Sequence, residues 1–187
     1  MNYWLIKSEA SCYSIDDLKY DKKTAWEGVR NYQARNFMVS VMQVGDKVLF
    51  YCSKRGSSKR VTSFTSSESK VQYCTQYHSL GTDKTPAGVY GVARVASPAH
   101  ADETQFDKHD EHYDPKAVKP KGGDAGKVIW QCVDMAYVSK FKHPVTLAEM
   151  RLDPACAGMA LLAPGQRLSI MPVSEKHFNH ILKLSNS

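Results

Sequence analysis

Residues 26–36, with the sequence WEGVRNYQARN, constrain the fold of this chain more than any other stretch. They place a glycine turn ahead of Asn31, and asparagine is a residue type that caps helices. After the cap, apolar residues recur at the i, i+3, i+4 spacing of a buried helical stripe. The stripe consists of Ala34, Phe37, Met38, Val41 and Met42. The segment therefore predicts a turn and then a helix over about residues 32–42, with one face packed on the core.

The same segment carries side chains suited to a flat heterocycle. Trp26 precedes the turn, and Tyr32, Gln33, Arg35 and Asn36 fall mostly off the apolar stripe. Aromatic faces stack on a base, while amides and guanidinium groups hydrogen-bond its edge. The alternative interpretation is a core tryptophan beside a solvated polar helix face.

Length and composition are ordinary for a globular protein. The chain has 187 residues, of which 42% are hydrophobic and 24% charged, and we expect a single domain over residues 1–187. The start has no signal-peptide pattern and no apolar run approaches ~20 residues. The five cysteines are widely spaced without a CxxC pair, which predicts reduced thiols. We therefore expect an intracellular protein, nuclear or cytoplasmic, with no membrane partner and with a monomer favoured.

The basic charge is concentrated in one polar segment, residues 54–87. This segment holds six Lys or Arg against two Asp or Glu, in a chain whose net charge is +6. It also holds twelve Ser or Thr, and few of its apolar residues are in register. The composition predicts an insertion outside the core, whose charge favours an anionic partner.

Strand and helix signals alternate along the rest of the chain. Strands are predicted at residues 3–6, 47–52, 88–96, 127–138 and 166–173, and capped helices after Ser14, Thr146 and Ser174. Glycines in residues 88–96 predict a bulge or a close backbone approach. Residues 98–126 form a long predicted loop with a functional or covering role. Together these elements predict an α+β domain on a bent sheet or small barrel of about five or six strands.

Signatures of catalysis and metal binding are weak. Residues 109–114 offer metal ligands, but without a second ligand cluster a solvated loop is favoured. A Cys–His nucleophile has no local signature. An acid–base pair would have to come from Glu9, Glu27 and Asp114, whose separations the sequence does not give. We expect no metal ion, no cofactor and no catalytic residue.

Aromatic and polar side chains form the remaining candidate site. Rings that stack on a base and groups that hydrogen-bond its edge together give selectivity. The rings are Trp26, Tyr32, Tyr51 and Trp130, and the polar groups are Ser8, Glu9, Asn31 and Ser53. Candidate donors to flanking phosphates are Arg30, Arg35, Arg167 and Lys7. Trp4 lies inside the first predicted strand and is expected in the core.

Seven motifs occur in a fixed order along nearly the whole chain apart from the insertion. They are YWLIKSE (3–9), YSIDDL (13–18), WEGVRNYQARN (26–36), GDKVLFYCS (45–53), TQFD with YDPK (104–107 and 113–116), and RLSIMPV (167–173). In this order and spacing they resemble the EVE domain family of the PUA-like superfamily. The resemblance implies a PUA-like bent β-barrel flanked by short helices.

The resemblance also implies a site that takes one modified base of DNA or RNA into an aromatic pocket. By motif position, Lys7 and Ser8 match a strand-end pair that contacts the base edge in related readers of methylated adenine. The other matches are Trp26 as a pocket wall, Asn31 and Tyr32 at the pocket mouth, and Tyr51 and Ser53 at a strand end. Cys52 stands where the family pattern has a histidine, so no imidazole function is carried over.

Three functions are consistent with the sequence. The favoured one is a non-enzymatic reader of a modified base. The second is a general RNA-binding scaffold that depends on residues 54–87 for its affinity. The third is an enzyme acting on a nucleotide or nucleoside, for which Glu9 or Asp114 would serve as general base.

Overall fold

Eight strands and four α-helices make up the described part of the chain. The computed structural model describes residues 1–9, 13–53, 86–122 and 126–186, without the side chain of Glu9. The strands are β1 (Tyr3–Glu9), β2 (Lys23–Ala25), β3 (Lys47–Ser53), β4 (Gly88–Val95), β5 (His100–Ala101), β6 (Gln131–Cys132), β7 (Asp134–Thr146) and β8 (Ile170–Val173). The helices are α1 (Ile15–Asp21), α2 (Tyr32–Ser40), α3 (Leu147–Leu152) and α4 (Glu175–Leu184). Short 3₁₀ helices occupy Glu103–Phe106, Pro154–Cys156 and Ala160–Leu162.

Six strands form one curled half-barrel sheet in the order β2-β7-β4-β3-β1-β8. The central strands β1 and β3 pair in parallel, with Lys7 opposite Tyr51 and Ser8 opposite Cys52. The other neighbours pair antiparallel. Since β1 and β3 run in the same direction, their carboxyl ends lie side by side at one edge of the sheet. The architecture confirms the predicted α+β class and its bent sheet flanked by short helices.

Alternating side chains divide the buried residues between the two faces of the sheet. The first core contains Ile6, Phe50 and Trp26, together with buried residues of α1 and α2. The second core contains Leu5 and Tyr51, together with buried residues of α3 and α4. The two central strands therefore contribute to both cores.

Trp4 confirms its predicted place in the core. It is 2% exposed and belongs to the first core. Its indole N–H donates to Oδ2 of Asp46 at 3.0 Å, so the buried polar atom of the ring is satisfied.

All four predicted helix starts are confirmed by capping hydrogen bonds. Ser14 and Thr146 form capping boxes, and Asn31 and Ser174 each accept from backbone N–H groups of the first turn. Capping depends on side chains within three residues of the cap, which explains why local sequence predicts it well.

The apolar stripe of α2 is confirmed with one exception. Ala34, Met38 and Met42 are buried, and Phe37 is partly buried. Val41 is 45% exposed, so its predicted burial was wrong. The helix ends at Ser40, and the backbone beyond it no longer keeps the helical register that would turn Val41 inward.

The strand predicted over residues 127–138 was wrong in its first part. The long strand β7 begins only at Asp134, and the short strand β6 covers Gln131–Cys132. The buried side chain of Gln105 accepts hydrogen bonds from the backbone N–H groups of Ile129 and Trp130, both at 2.9 Å. A side chain thus occupies the donors that a neighbouring strand would otherwise use. The last predicted strand likewise begins later, at Ile170 instead of residue 166.

The glycines of β4 confirm both features predicted for them. The pairing of β4 with β7 shifts register between Val89 and Gly91. A Cβ at Gly91 would clash with the backbone carbonyl oxygen of Ser139 on β7. Glycine is therefore required where the two backbones approach most closely.

Three further predictions concern larger segments. Residues 98–126 are not structureless throughout, because they contain β5 and a 3₁₀ helix. The predicted insertion at residues 54–87 lies outside the described residues except for its last two positions. Within the described ranges, the helices are too short or too polar to cross a bilayer.

Candidate functional site

Trp26 lies almost entirely inside the first core. It is 9% exposed, and its ring packs edge-on against Phe50 at 5.8 Å and Tyr13 at 6.3 Å between ring centroids. Its backbone N–H donates to the carbonyl of Val133 at 2.9 Å. Trp26 is therefore a core residue, as one of the two interpretations of the sequence predicted. Little of its surface remains for contact with a ligand.

Ser8 and Ser53 connect the carboxyl ends of the two central strands. The Ser53 hydroxyl donates to the carbonyl of Ser8 at 3.2 Å, and the Ser8 hydroxyl donates to the carbonyl of Tyr13 at 2.6 Å. Ser8 lies opposite Cys52, whose side chain belongs to the first core. Ser8 therefore lies on the Trp26 side of the sheet, whereas Ser53, which follows Cys52 in β3, alternates to the other side.

Lys7 and Tyr51 are directed to the other face of the sheet. They are register partners in β1 and β3, and Tyr51 is 4% exposed within the second core. The Lys7 ammonium donates to the carbonyl of Gln166 at 3.1 Å, and burial lowers the pKa of Lys7. Burial also raises the pKa of the Tyr51 phenol. The structure thus does not bring Lys7 and Tyr51 together with Trp26, although the sequence had grouped them.

Tyr32 and Trp130 form an aromatic pair at the protein surface. Their ring centroids are 4.8 Å apart with planes inclined by 31°. Tyr32 is 59% exposed, whereas Trp130 is 5% exposed and donates its indole N–H to Oδ2 of Asp114 at 2.8 Å. The exposed ring therefore rests on a fixed one, which is the arrangement of a stacking platform.

Two guanidinium groups extend this aromatic pair. The Arg30 guanidinium lies 5.4 Å from the Trp130 ring, and that of Arg35 lies 5.0 Å from the Tyr32 ring. Cations over aromatic faces are attracted by the ring quadrupole. We call Arg30, Trp130, Tyr32 and Arg35 the stacked column.

The inner end of the stacked column is fixed by the buried carboxylate of Asp102. This residue is 1% exposed and accepts from Nη1 of Arg30 at 2.7 Å and from the backbone N–H of Gly28 at 2.9 Å. Burial opposes ionisation of Asp102, but hydrogen bonds from Arg30, Thr104 and Gly28 outweigh it and hold its pKa below the ordinary value. Asp102 is thus an ionised group that neutralises the guanidinium beside it.

Arg30 is held inside the protein and does not face solvent as a phosphate ligand would. Its guanidinium also donates to the hydroxyl of Thr104 at 2.7 Å and to the carbonyls of His112 at 2.8 Å and Val29 at 3.3 Å. These bonds engage most of its N–H donors within the chain, so few remain for the phosphate contact that the sequence predicts. Arg30 positions the column.

The remaining polar residues of the predicted site are Arg35, Arg167 and Asn31, and each has different neighbours. Arg35 donates to the carbonyl of Ile129 at 3.0 Å and to Oδ1 of Asn36, and its side chain is half-buried. Arg167 is exposed, with no hydrogen bond or ion pair to other residues that the structure describes. The side-chain oxygen of Asn31 accepts from the first turn of α2 as its cap.

Sequence reasoning missed the residues that hold Trp130 in place. Gln105 is 0% exposed, and its Nε2 donates to the carbonyls of Trp130 at 2.7 Å and Asp102 at 2.8 Å. Backbone donation by Lys116, and then the Trp130 indole, lower the pKa of Asp114. Gln105 lies in the TQFD motif and Asp114 in the YDPK motif. These motifs indicated the family, but they did not indicate that the two side chains hold Trp130.

Cys132, His100 and Asp134 lie close together, and this arrangement does not form a nucleophile. Sγ of Cys132 lies 3.6 Å from Nδ1 of His100, whose Nε2 lies 3.0 Å from Oδ1 of Asp134. Both ring nitrogens also lie within hydrogen-bond distance of other oxygen atoms, the carbonyl of Ala101 and the carboxylate of Asp134. Cys132 is 0% exposed, and burial raises its pKa to about 12. A thiol with this pKa is protonated at neutral pH.

In the loop of residues 109–114, Asp110, His112 and Asp114 have hydrogen-bond partners within the protein. Nδ1 of His112 lies 3.0 Å from Oδ1 of Asp110, and Asp114 accepts from Trp130. Because the pKa of Asp114 is lowered, this carboxylate is poorly suited to act as a general base.

A cavity of about 160 Å³ lies in the second core, beside the edge strand β8. Its walls are mainly apolar and include Leu5, Met159, Leu161, Met171 and His177. None of the predicted site residues lines it, so it is separate from the stacked column and from Trp26.

Comparison with known proteins identifies the family. The sequence model of the EVE domain matches residues 2–184, and the chain belongs to the EVE domain family. Thymocyte nuclear protein 1 of Homo sapiens is 32% identical over 203 residues, which cover 98% of this chain and 73% of that protein.

Solved structures of related proteins share the fold. A hypothetical protein from Leishmania major is 35% identical with a TM-score of 0.76, covering 100% of this chain and 95% of that one. The human thymocyte nuclear protein 1 in complex with 5-methylcytosine-containing DNA is 29% identical with a TM-score of 0.72, covering 100% of this chain and 99% of that one. The family predicted from the seven motifs is confirmed.

Proposed function

We propose that this protein binds nucleic acid and reads a modified base in DNA or RNA without catalysing a reaction. The observation that carries the proposal is the likeness, along the whole chain, to a human relative solved with 5-methylcytosine-containing DNA. Membership of the same family and a common fold make a related ligand the simplest expectation for this chain. The local geometry around α2 gives this expectation a physical basis.

The stacked column supplies the contact surface in this proposal. Tyr32 presents a ring that is 59% exposed and supported by Trp130, and a base that stacks on it takes the place of the Arg35 guanidinium at the end of the column. Stacking of a base on an aromatic side chain contributes about 1–3 kcal/mol. Arg35 lies on the same helix and is positioned to meet a flanking phosphate. Trp26 is only 9% exposed and stays in this proposal as a candidate wall of the base pocket.

Tyr32→Ala is expected to weaken binding of an oligonucleotide that carries the preferred base by about 5- to 150-fold. The variant removes an exposed ring, so the fold should be retained. Tyr20→Ala is the matched control, because Tyr20 is 62% exposed on α1 and lies outside the column. Fluorescence anisotropy with labelled strands measures both affinities, and equal losses in the two variants would exclude the column as the contact surface.

Selectivity for the modified base is tested on the wild-type protein. Matched DNA and RNA strands carrying methylated cytosine, methylated adenine or no modification are titrated at one salt concentration, since salt alone changes such affinities. A reader binds one modified strand more tightly than its unmodified counterpart. Equal affinity across the panel would contradict the proposal.

Deletion of residues 54–85 separates a reader from a general RNA-binding scaffold. Cys52 pairs with Gly88 across β3 and β4, so a short Gly–Ser loop can close the gap. We expect the shortened protein to bind all strands more weakly and with a smaller salt dependence, because six basic side chains are removed. Its preference for the modified strand should persist. Loss of nearly all binding together with that preference would favour the scaffold.

A further inference from the structure

Three metal-ligand side chains of different types converge beside α4. Asp153, Cys156 and His180 each offer one ligand atom, and these atoms all lie within 4.8 Å of one another. Asp153 and Cys156 come from the 3₁₀ turn that follows α3, whereas His180 comes from the helix packed against it. Cys156 belongs to the second core, on the opposite face of the sheet from Trp26.

The Asp153 carboxylate and the His180 imidazole already contact each other between the 3₁₀ turn and α4. Oδ2 of Asp153 lies 2.6 Å from Nε2 of His180, and their side chains are 24% and 23% exposed. The second carboxylate oxygen accepts from the backbone N–H of Ala155 at 2.8 Å, which fixes the orientation of the carboxylate. A first ligand pair is thus oriented and open to solvent.

The thiol of Cys156 completes the cluster from inside the protein. Cys156 is 1% exposed, and its thiol makes no hydrogen bond to the residues that the structure describes. A buried thiol without a polar partner, beside a carboxylate and an imidazole, has the position of a third ligand. The described residues contain no other group of three such side chains at this spacing.

We propose that Asp153, Cys156 and His180 bind one zinc ion, with water in the fourth position. A thiolate, an imidazole and a carboxylate form a ligand set suited to Zn²⁺, whereas Mg²⁺ and Ca²⁺ require oxygen ligands. In a tetrahedral site with bonds of about 2.0–2.3 Å, ligand atoms lie about 3.3–3.8 Å apart. The distance between Oδ2 of Asp153 and Nε2 of His180 must therefore increase by roughly 1 Å, which rotation of the two side chains allows. The ion would join α4 to the 3₁₀ turn.

Cobalt titration tests the site directly, because Co²⁺ substitutes for Zn²⁺ and reports its ligands by absorption. We expect the reduced wild-type protein to bind one Co²⁺ with tetrahedral visible bands and a thiolate-to-cobalt charge-transfer band. Zn²⁺ should then displace the Co²⁺. Cys156→Ser should lose the charge-transfer band, and Cys156→Ser and His180→Ala should each weaken binding by roughly 10- to 100-fold or more.

Cys132→Ser is the matched control, since Cys132 is also buried beside a histidine, but the ligand atoms of Cys132, His100 and Asp134 do not all lie within 4.8 Å of one another. It should keep the wild-type cobalt spectrum, and circular dichroism of each variant shows whether the fold is retained. At one zinc concentration, Zn²⁺ should raise the melting temperature of the wild type and of Cys132→Ser clearly more than that of Cys156→Ser. A wild-type spectrum without the charge-transfer band, or an unchanged spectrum in folded Cys156→Ser, would overturn the proposal.

Discussion

Asp102→Ala is expected to lower the free energy of unfolding by about 3–5 kcal/mol. The substitution removes the partner of a guanidinium whose side chain is only 21% exposed, and Arg30 would then be charged and poorly solvated. It also removes the acceptor for the backbone N–H of Gly28. Urea unfolding followed by circular dichroism measures the change, and Asp102→Asn provides a milder variant of similar shape.

Glu103→Ala is the control for this prediction. Its carboxylate lies 2.6 Å from the ammonium of Lys119, a shorter contact than that of Asp102 with Arg30, but both side chains are more than half exposed. Exposed pairs contribute at most about 1 kcal/mol. A loss in Glu103→Ala as large as that in Asp102→Ala would show that burial does not determine the effect.

Protonation of Asp102 is expected to lower the stability of the protein at acidic pH. Its pKa in the folded protein lies below the ordinary value, while the unfolded chain has a value of about 3.9. The stabilisation is therefore fully present above about pH 3.9 and is lost as the pH falls through the folded pKa. Wild-type stability should fall more steeply than that of Asp102→Asn over this acidic range. Parallel curves would contradict the assignment.

Trp26→Ala is expected to cost about 3–5 kcal/mol of folding stability, because it empties a large volume in the first core. Loss of nucleic-acid binding in this variant would therefore not identify a base contact. Thermal or urea unfolding checks the stability, and binding should be compared only under conditions where the variant is folded.

Trp26→Phe separates the core function of this residue from contact with a base. A smaller ring keeps most of the packing against Phe50 and Tyr13, so the stability loss should be well below that of Trp26→Ala. If Trp26 also forms a wall of the base site, the folded variant should lose affinity for the modified strand more than for the unmodified one. Wild-type binding by Trp26→Phe would assign the residue to the core alone.

The local sequence predicts a large part of this fold. The caps at Ser14, Asn31, Thr146 and Ser174 were all correctly predicted, since each acts on backbone groups within one turn. The glycines of β4 also indicated their bulge and close approach. The prediction of a strand at residues 127–130 was wrong because backbone N–H groups there donate to the side chain of Gln105, which is more than twenty residues away in the sequence.

The candidate site was predicted only in part. Tyr32 and Trp130 were both named from the sequence, and the structure stacks them although they lie on α2 and on the segment before β6. Tyr51 was named too, but only the structure shows that alternation along β3 places Phe50 in the core of Trp26 and Tyr51 in the other core. Asp102 and Gln105 went unassigned because a single acid or amide in a loop has no distinctive local pattern.

The sequence by itself therefore determined the family, the helix starts and the aromatic residues available for a base. These properties depend on motifs and on neighbours within a few positions along the chain. Only the tertiary structure decided which rings are exposed, which arginine is neutralised inside and which ligands converge at Asp153. Those properties depend on burial and on contacts between distant segments, because a side chain's solvation and charge partners are fixed only when the sheet and its covering loops assemble.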